Sequence, residues 1–230
     1  MKNDRRIGLL GGTFDPVHIG HLAAASETRE AFALDSVWFI PAAIPPHKKK
    51  HESGQLISSF EDRAAMLERA VTGRPGFVVS RIESERPQPS YTVDTLTLLR
   101  RQLGDRTKIF FIVGADAFTE IATWKDYTRL LTYVDFVIIS RPSFQLGKVE
   151  EAVRQYFKGY RHHAKECVWR PKECVWLPED GRRGKIYFLE IKAIAVSSTE
   201  IRRKVHAGLP IHRLVPPAVA EYIREYRLYG

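Results

Sequence analysis

Short apolar runs alternate with longer helical patterns along most of this chain, and that alternation limits its fold more than any other feature. Ile7, Leu9 and Leu10 begin the series, and Val37 to Ile40, FVVS from Phe77, KIFFIVG ending at Gly114 and DFVIIS, stopped at Pro142, continue it. Between them lie patterns with helical spacing: HLAAASETREAF, ISSFEDRAAMLERAV with Ser58 or Ser59 as its cap, and a helix from about Tyr91. Shorter helical segments fall around Ala117 to Ala122 and Tyr127 to Leu131. A parallel neighbour cannot be reached through a tight turn, so strands spaced by such crossovers pair in parallel. The expected class is α/β, a Rossmann-like doubly wound, mainly parallel sheet with helices on both faces. Ligands gather at the carboxyl ends of such strands, where Gly11, Pro41, Gly114 and Arg141 all fall.

The later part of the chain continues the pattern with one interruption. VEEAVRQYF reads as a helix, after which KECVWRP and KECVWLP form a direct duplication holding Cys167 and Cys174. Two copies are too few for a solenoid. His162, His163 and these cysteines could be imagined around zinc, but there is no C-x-x-C and Pro171 breaks any shared helical face. The expectation is one domain over residues 1–230 with a surface insertion at about 145–185. IYFLEI then supplies a last strand, VSSTEIRRKVHAG a helix closed by Gly208, and PPAVAEYIREYRLYG a terminal amphipathic helix.

Composition narrows the partners without choosing among them. A formal charge of +9 calls for something anionic, which nucleotides, nucleic acid and acidic membranes all are. MKNDRR leads straight into the first strand, and no apolar segment has signal-peptide or spanning length, so a cytoplasmic location is expected. Two cysteines do not make a disulfide framework.

The chemistry concentrates in GGTFDPVHIGHL, the turn from first strand to first helix. Gly11 and Gly12 let the chain bend tightly and bring an anion close to bare N–H groups, including those near Thr13 and Phe14. His18 and His21 are three residues apart, so if the helix has begun by then they share one face, with Gly20 between them leaving room for a ligand, and two imidazoles beside a helix N-terminus suit phosphoryl oxygens. The stretch lacks both G-x-G-x-x-G and G-K-[ST], which disfavours the two common phosphate loops. SSTEIRR is the second signal. Ser197 with Glu200 fits a capping box, and the same N-terminus offers Ser198, Thr199 and Arg202 to a polyphosphate.

These two motifs, in this order, resemble the H-x-G-H nucleotidylyltransferase superfamily, and GGTFDP with HxGHL looks like its nicotinate-nucleotide adenylyltransferase branch. The resemblance covers about Ile7 to Pro142 and again about Ile186 onward. It implies that SSTEIRR holds the β- and γ-phosphates of ATP and the departing pyrophosphate. It implies that His47 and Lys48 of PPHKKK reach the substrate phosphates, and that Tyr91 and Thr92 of SYTVDTL line the mononucleotide pocket. A helix cap at Ser90 or Thr92 is the plainer reading of that last segment. In GADAFTEIATWKDY it implies that Asp116 accepts ribose hydroxyls and Trp124 stacks on the pyridine; Arg141 would lie by the adenosine.

The activity so implied is transfer of the adenylyl group of ATP to nicotinate mononucleotide, giving deamido-NAD (nicotinate adenine dinucleotide) and pyrophosphate in NAD biosynthesis. His18 and His21 would stabilise charge on the α-phosphate, with Lys48 and Arg202 holding phosphates on either side, and Mg²⁺ would arrive bound through the ATP phosphates. The expected partners are ATP and nicotinate mononucleotide, with neither nucleic acid nor membrane. Sister transferases using nicotinamide mononucleotide or phosphopantetheine are argued against by PPHK, SYTVDTL and the Trp124 segment. A class I aminoacyl-tRNA synthetase shares the literal HIGH at His18 to His21 but lacks room for an anticodon-binding domain, and a non-catalytic nucleotide- or RNA-binding protein lacks an RNA-binding signature here.

Overall fold

The computed structural model describes residues 5–44, 56–85, 89, 91–140, 146–164, 173–181, 184–192 and 194–230. Its elements run β1 (Arg6–Gly12), α1 (Ile19–Ala31), β2 (Ser36–Pro41), α2 (Phe60–Val71), β3 (Phe77–Val79), α3 (Thr92–Leu103), β4 (Lys108–Gly114) and α4 (Ala115–Thr119). Two 3₁₀ turns, Ile121–Thr123 and Tyr127–Thr132, precede β5 (Asp135–Ser140) and α5 (Leu146–Tyr156). The chain closes with β6 (Tyr160–Ala164), β7 (Glu173–Pro178), β8 (Ile186–Glu190), α6 (Ser198–His206) and α7 (Pro217–Glu225).

The strands form one sheet in the order β3-β2-β1-β4-β5-β8-β7-β6. From β3 to β8 every pairing is parallel, with Leu9 opposite both Trp38 and Phe111. Central strands are covered on both faces, which is why β1 and β4 read as unbroken apolar runs. Alternate residues divide between two cores. Leu9, Phe111 and Val113 face Leu96, Leu99 and Val153 of α3 and α5, while Leu10, Phe110 and Ile112 face Leu22, Met66, Ile201 and Val219 of α1, α2, α6 and α7.

The chain moves outward from β1 to β2 and β3, then crosses back to β4 on the other side of β1. Their carboxyl ends therefore flank the point where strand order reverses, the place where open α/β sheets carry a crevice.

Local signals account for the starts of α2 and α6. Ser59 Oγ accepts from Asp62 N at 3.0 Å and Ser197 Oγ from Glu200 N at 3.1 Å, each satisfying an amide that the first helical turn leaves without a partner. α3 differs from the capping expectation: Tyr91 holds the cap position without a side-chain bond, and Thr92 is already helical.

The 145–185 stretch holds the expected helix as α5, but where a surface insertion was expected it also supplies two strands of the sheet. β7 pairs antiparallel with β8, and β6 with β7. Burial of the second ECVW copy accompanies this pairing. That copy lies in β7, where Val175 and Trp176 are buried, Trp176 to 3% exposure among the residues of the α3 and α5 core. The pairing covers β8, which would otherwise present unpaired backbone groups. Cys167 lies outside the described residues, and no helix among those described is long and apolar enough to cross a membrane.

Candidate active site

A cleft of about 790 Å³ opens over the carboxyl ends of β1, β2, β4 and β5. Gly11, Gly12, Ile40, Gly114 and Ser140 form its floor, and residues from both sheet faces form its walls. On the α1 and α6 side stand His18, Gly20, His21, Val196, Ser197 and Ser198; on the α3 side stand Glu83, Thr92, Thr95, Asp116 and Trp124.

The two histidines adopt one defined arrangement. His18 caps α1, and its backbone N–H donates to His21 Nδ1 at 3.3 Å. The rings stack with centroids 3.7 Å apart and planes inclined by 21°. Burial pushes the His21 pKa well below its usual value, and the adjacent His18 lowers it further. A neutral imidazole whose Nδ1 accepts carries its proton on Nε2. His21 is therefore a neutral donor, and its position on the cleft wall suits it to a phosphoryl oxygen.

Phe14 sets that ring in place. Its φ is +53°, a left-handed conformation costly for a bulky residue, and its side chain is buried edge-on against His21 with centroids 5.0 Å apart. A Cβ on Gly12 would come within 3.1 Å of the Phe14 ring, so the second glycine makes room for this prop. Gly20 serves similarly: an added Cβ would meet Val196 at 3.0 Å and His18 at 3.1 Å. The space beside it belongs to the close approach of α1 and the α6 turn.

The SSTEIRR segment lies against this turn, with part of its polar set turned inward. Ser198 Oγ donates to the Pro16 carbonyl at 2.9 Å. Arg202, 6% exposed, donates to the Asp15 carbonyl at 2.6 Å and to Thr199 Oγ1 at 3.2 Å. Ser197 and Ser198 line the cleft, whereas Thr13, Phe14, Tyr91, Thr199 and Arg202 are not among its lining residues, Phe14 and Arg202 being buried and Thr199 exposed. Tyr91 packs beneath Lys125, whose ammonium lies 4.8 Å from the ring centroid. Trp124 lines the cleft edge-on to Phe111, with centroids 6.1 Å apart. Exposed Asp116 follows the end of β4. His47, Lys48 and Arg141 lie outside the described residues.

Several supporting residues were not singled out by sequence. Arg63, 1% exposed, donates to the carbonyls of Thr13 at 2.8 Å, Ser58 at 3.0 Å and Ala43 at 3.4 Å, tying the β1–α1 turn to both ends of the β2–α2 connection. Burial lowers its pKa, opposed by nearby Asp15 and, to a smaller extent, Glu83. An arginine amid Ala64, Met66 and Leu67, on the apolar face of a helix, was its visible signal. Glu83 accepts from Thr95 Oγ1 at 2.7 Å and from Ala43 N at 3.4 Å, joining the β2 loop to α3.

The cytidylyltransferase-like family model matches residues 9–204. A protein of Moorella thermoacetica named "Probable nicotinate-nucleotide adenylyltransferase" is 42% identical over 224 residues, covering 97% of this chain and 91% of its own. The chain belongs to the nicotinate-nucleotide adenylyltransferase family. A Thermus thermophilus member with the same name is 41% identical, covering 97% of this chain and 99% of its own. The family fold extends to distant solved structures. Plasmodium falciparum nicotinic acid mononucleotide adenylyltransferase complexed with NaAD superposes with a TM-score of 0.70 at 18% identity, covering 98% of this chain and 97% of its own.

Proposed function

We infer that this chain is a nucleotidyltransferase that moves the adenylyl group of ATP onto the phosphate of nicotinate mononucleotide, releasing pyrophosphate and forming nicotinate adenine dinucleotide in NAD biosynthesis. The observation that carries this reading is the meeting of two phosphate-type turns, His18 to His21 and Ser197 to Ser198, on one wall of a cleft whose other wall holds Thr92 and Trp124. Relatives at about 40% identity over nearly the whole chain bear the corresponding name.

In the proposed mechanism a phosphate oxygen of the mononucleotide attacks the α-phosphorus of ATP. The new P–O bond forms as the bond to the bridging oxygen of pyrophosphate breaks, and that oxygen takes the electron pair. The nucleophile is already anionic at neutral pH, so no base must generate it and no covalent enzyme intermediate is required. Rate enhancement then comes from alignment and from donors that bind more strongly as charge develops.

His21 Nε2–H and His18 are assigned to the α-phosphoryl oxygens, with backbone groups of Gly11, Gly12, Thr13 and Phe14 around them. Ser197, Ser198 and Thr199 at the α6 start are assigned to the β- and γ-phosphates, where the helix dipole favours anions. Arg202 is assigned to holding the two turns together, because its guanidinium is engaged by Asp15 and Thr199. Asp116 is assigned to the ribose, Arg141 to the adenosine, Thr92 and Trp124 to the pyridine mononucleotide with Tyr91 beside Thr92, and His47 and Lys48 to substrate phosphates. ATP is proposed to enter as its Mg²⁺ complex. Among the described residues no three His, Cys, Asp or Glu side chains gather as a metal cage, and Mg²⁺ favours phosphate and water ligands. The chain is proposed to act in the cytoplasm, as one domain, without a nucleic-acid or membrane partner.

The deciding assay is pyrophosphate release from Mg²⁺-ATP with nicotinate mononucleotide, nicotinamide mononucleotide and phosphopantetheine supplied separately, with product masses checked. Selective formation of nicotinate adenine dinucleotide is the expected result. Turnover only with another acceptor would move the protein to a sister activity.

A further inference from the structure

Asp15 lies at the centre of the phosphate turn, yet none of the assigned steps uses its side chain. It is 1% exposed, and Oδ2 accepts from Ser58 N at 3.0 Å. Oδ1 accepts from the phenol of Tyr229, 214 residues away in sequence. The backbone around Tyr229 is bent to make this contact. Arg227 and Tyr229 have φ values of +50° and +66°, left-handed angles that bulky residues hold only where their surroundings enforce them. Leu228, between them, bonds back to the Ile223 carbonyl at 3.0 Å, closing the end of α7. Burial, then Asp15, raises the Tyr229 pKa, so the phenol keeps the proton it donates.

We propose that Tyr229 is a positioning residue for adenylyl transfer: by holding the Asp15 carboxylate it fixes the Thr13 to His18 turn against the start of α6. The chain of contacts is continuous. Asp15 also gives its carbonyl to Arg202, which bonds Thr199, and the next residue, Pro16, gives its carbonyl to Ser198. A shift of Asp15 therefore moves both turns relative to each other, and with them the donors assigned to the α-, β- and γ-phosphates. The pyridine pocket stands on the other sheet face, around Thr92 and Trp124.

The inference rests on the phosphate reading of these turns, so its test includes His18→Ala. Tyr229→Phe removes one hydroxyl and keeps the ring. Its expected effect is a fall in kcat of about tenfold to a hundredfold, the span of a lost charge-assisted hydrogen bond. KM for nicotinate mononucleotide should stay within about twofold, because that pocket stands on the other face. Tyr222→Phe is the structural control: it removes the 2.9 Å bond to Asp62 between α7 and α2 without touching the turn, and should lower Tm while leaving kcat intact. In the Asp15→Asn background Tyr229→Phe should cost much less than alone, since the two act through one contact.

Wild-type kcat in Tyr229→Phe, an equal kcat loss in Tyr222→Phe, or fully additive losses with Asp15→Asn would each overturn the proposal. Full turnover in His18→Ala would overturn the phosphate reading and this inference with it. An inactive His18→Ala beside an unimpaired Tyr229→Phe would sink this inference alone.

Discussion

Replacing Arg63 by methionine tests the idea that one buried guanidinium holds the loops of the site together. Methionine keeps most of the side-chain length but can supply none of the bonds to Thr13, Ser58 and Ala43. It also removes a positive charge near the carboxylates of Asp15 and Glu83. Removing one member of a buried charge group costs about 3–5 kcal/mol, and the lost carbonyl bonds fall within that figure rather than adding to it. At about 2–4 °C per kcal/mol for a chain of this size, Tm should drop by roughly 6–20 °C. A domain stable by about 5–15 kcal/mol would in most cases still fold at 25 °C. Arg81→Met supplies the contrast. Arg81 bonds Glu61 at 2.6 Å and Glu68 at 2.9 Å, as tight as the Arg63 contacts, but its side chain is 39% exposed. Such pairs are worth about 0–1 kcal/mol, so its Tm should fall by less than about 4 °C. Calorimetry and urea unfolding followed by circular dichroism would measure both. Equal losses in the two variants would refute the view that burial, rather than bond length, sets the value of these contacts.

Three further outcomes follow from the cleft. Because His21 resists protonation, the unfolded chain takes up that proton first as pH falls below about 6.5, and stability should decline from there until native His21 also titrates. His21→Asn should flatten that decline in Tm between pH 8 and pH 5, and an unchanged slope would contradict the assignment. Gly20→Ala presses a methyl group on His18 and Val196, so kcat should fall about tenfold or more while circular dichroism stays native; an unaltered kcat would show that the ring has slack. Trp124→Ala should raise KM for the mononucleotide by about tenfold or more, the scale of lost ring stacking, with a smaller effect on KM for ATP; titration of each substrate separates the two.

Sequence made the parallel core legible because each strand is a local apolar run and its connections have crossover lengths. Ser59 and Ser197 were readable as caps for the same reason, since donor and acceptor stand three residues apart. The cleft was half legible. Motifs brought His18, His21, Ser198, Thr92 and Trp124 to its wall, but they could not show Arg202 turned inward, because its partner carbonyl on Asp15 is 187 residues away. Arg63, Glu83 and Tyr229 escaped for a related reason: their partners lie on other loops, and no periodicity records such a meeting. The β6 and β7 pairing was hidden too. A repeated ECVW carries no information about which strand it will lie beside, and only the open side of β8 decides that.

The position of β1 also bears on how the chain is made. Its two neighbours are β2, close behind it, and β4, whose Lys108 pairs with Arg6 about 100 residues later. A ribosome adding about 5–20 residues per second needs roughly 5–20 s to bridge that gap. During this interval an apolar strand of the future sheet centre, with Ile7, Leu9 and Leu10, has only one of its neighbours in place. The emerging chain therefore carries an adhesive margin, and a pause in translation before β4 should favour capture by chaperones or aggregation, while a pause after it should not.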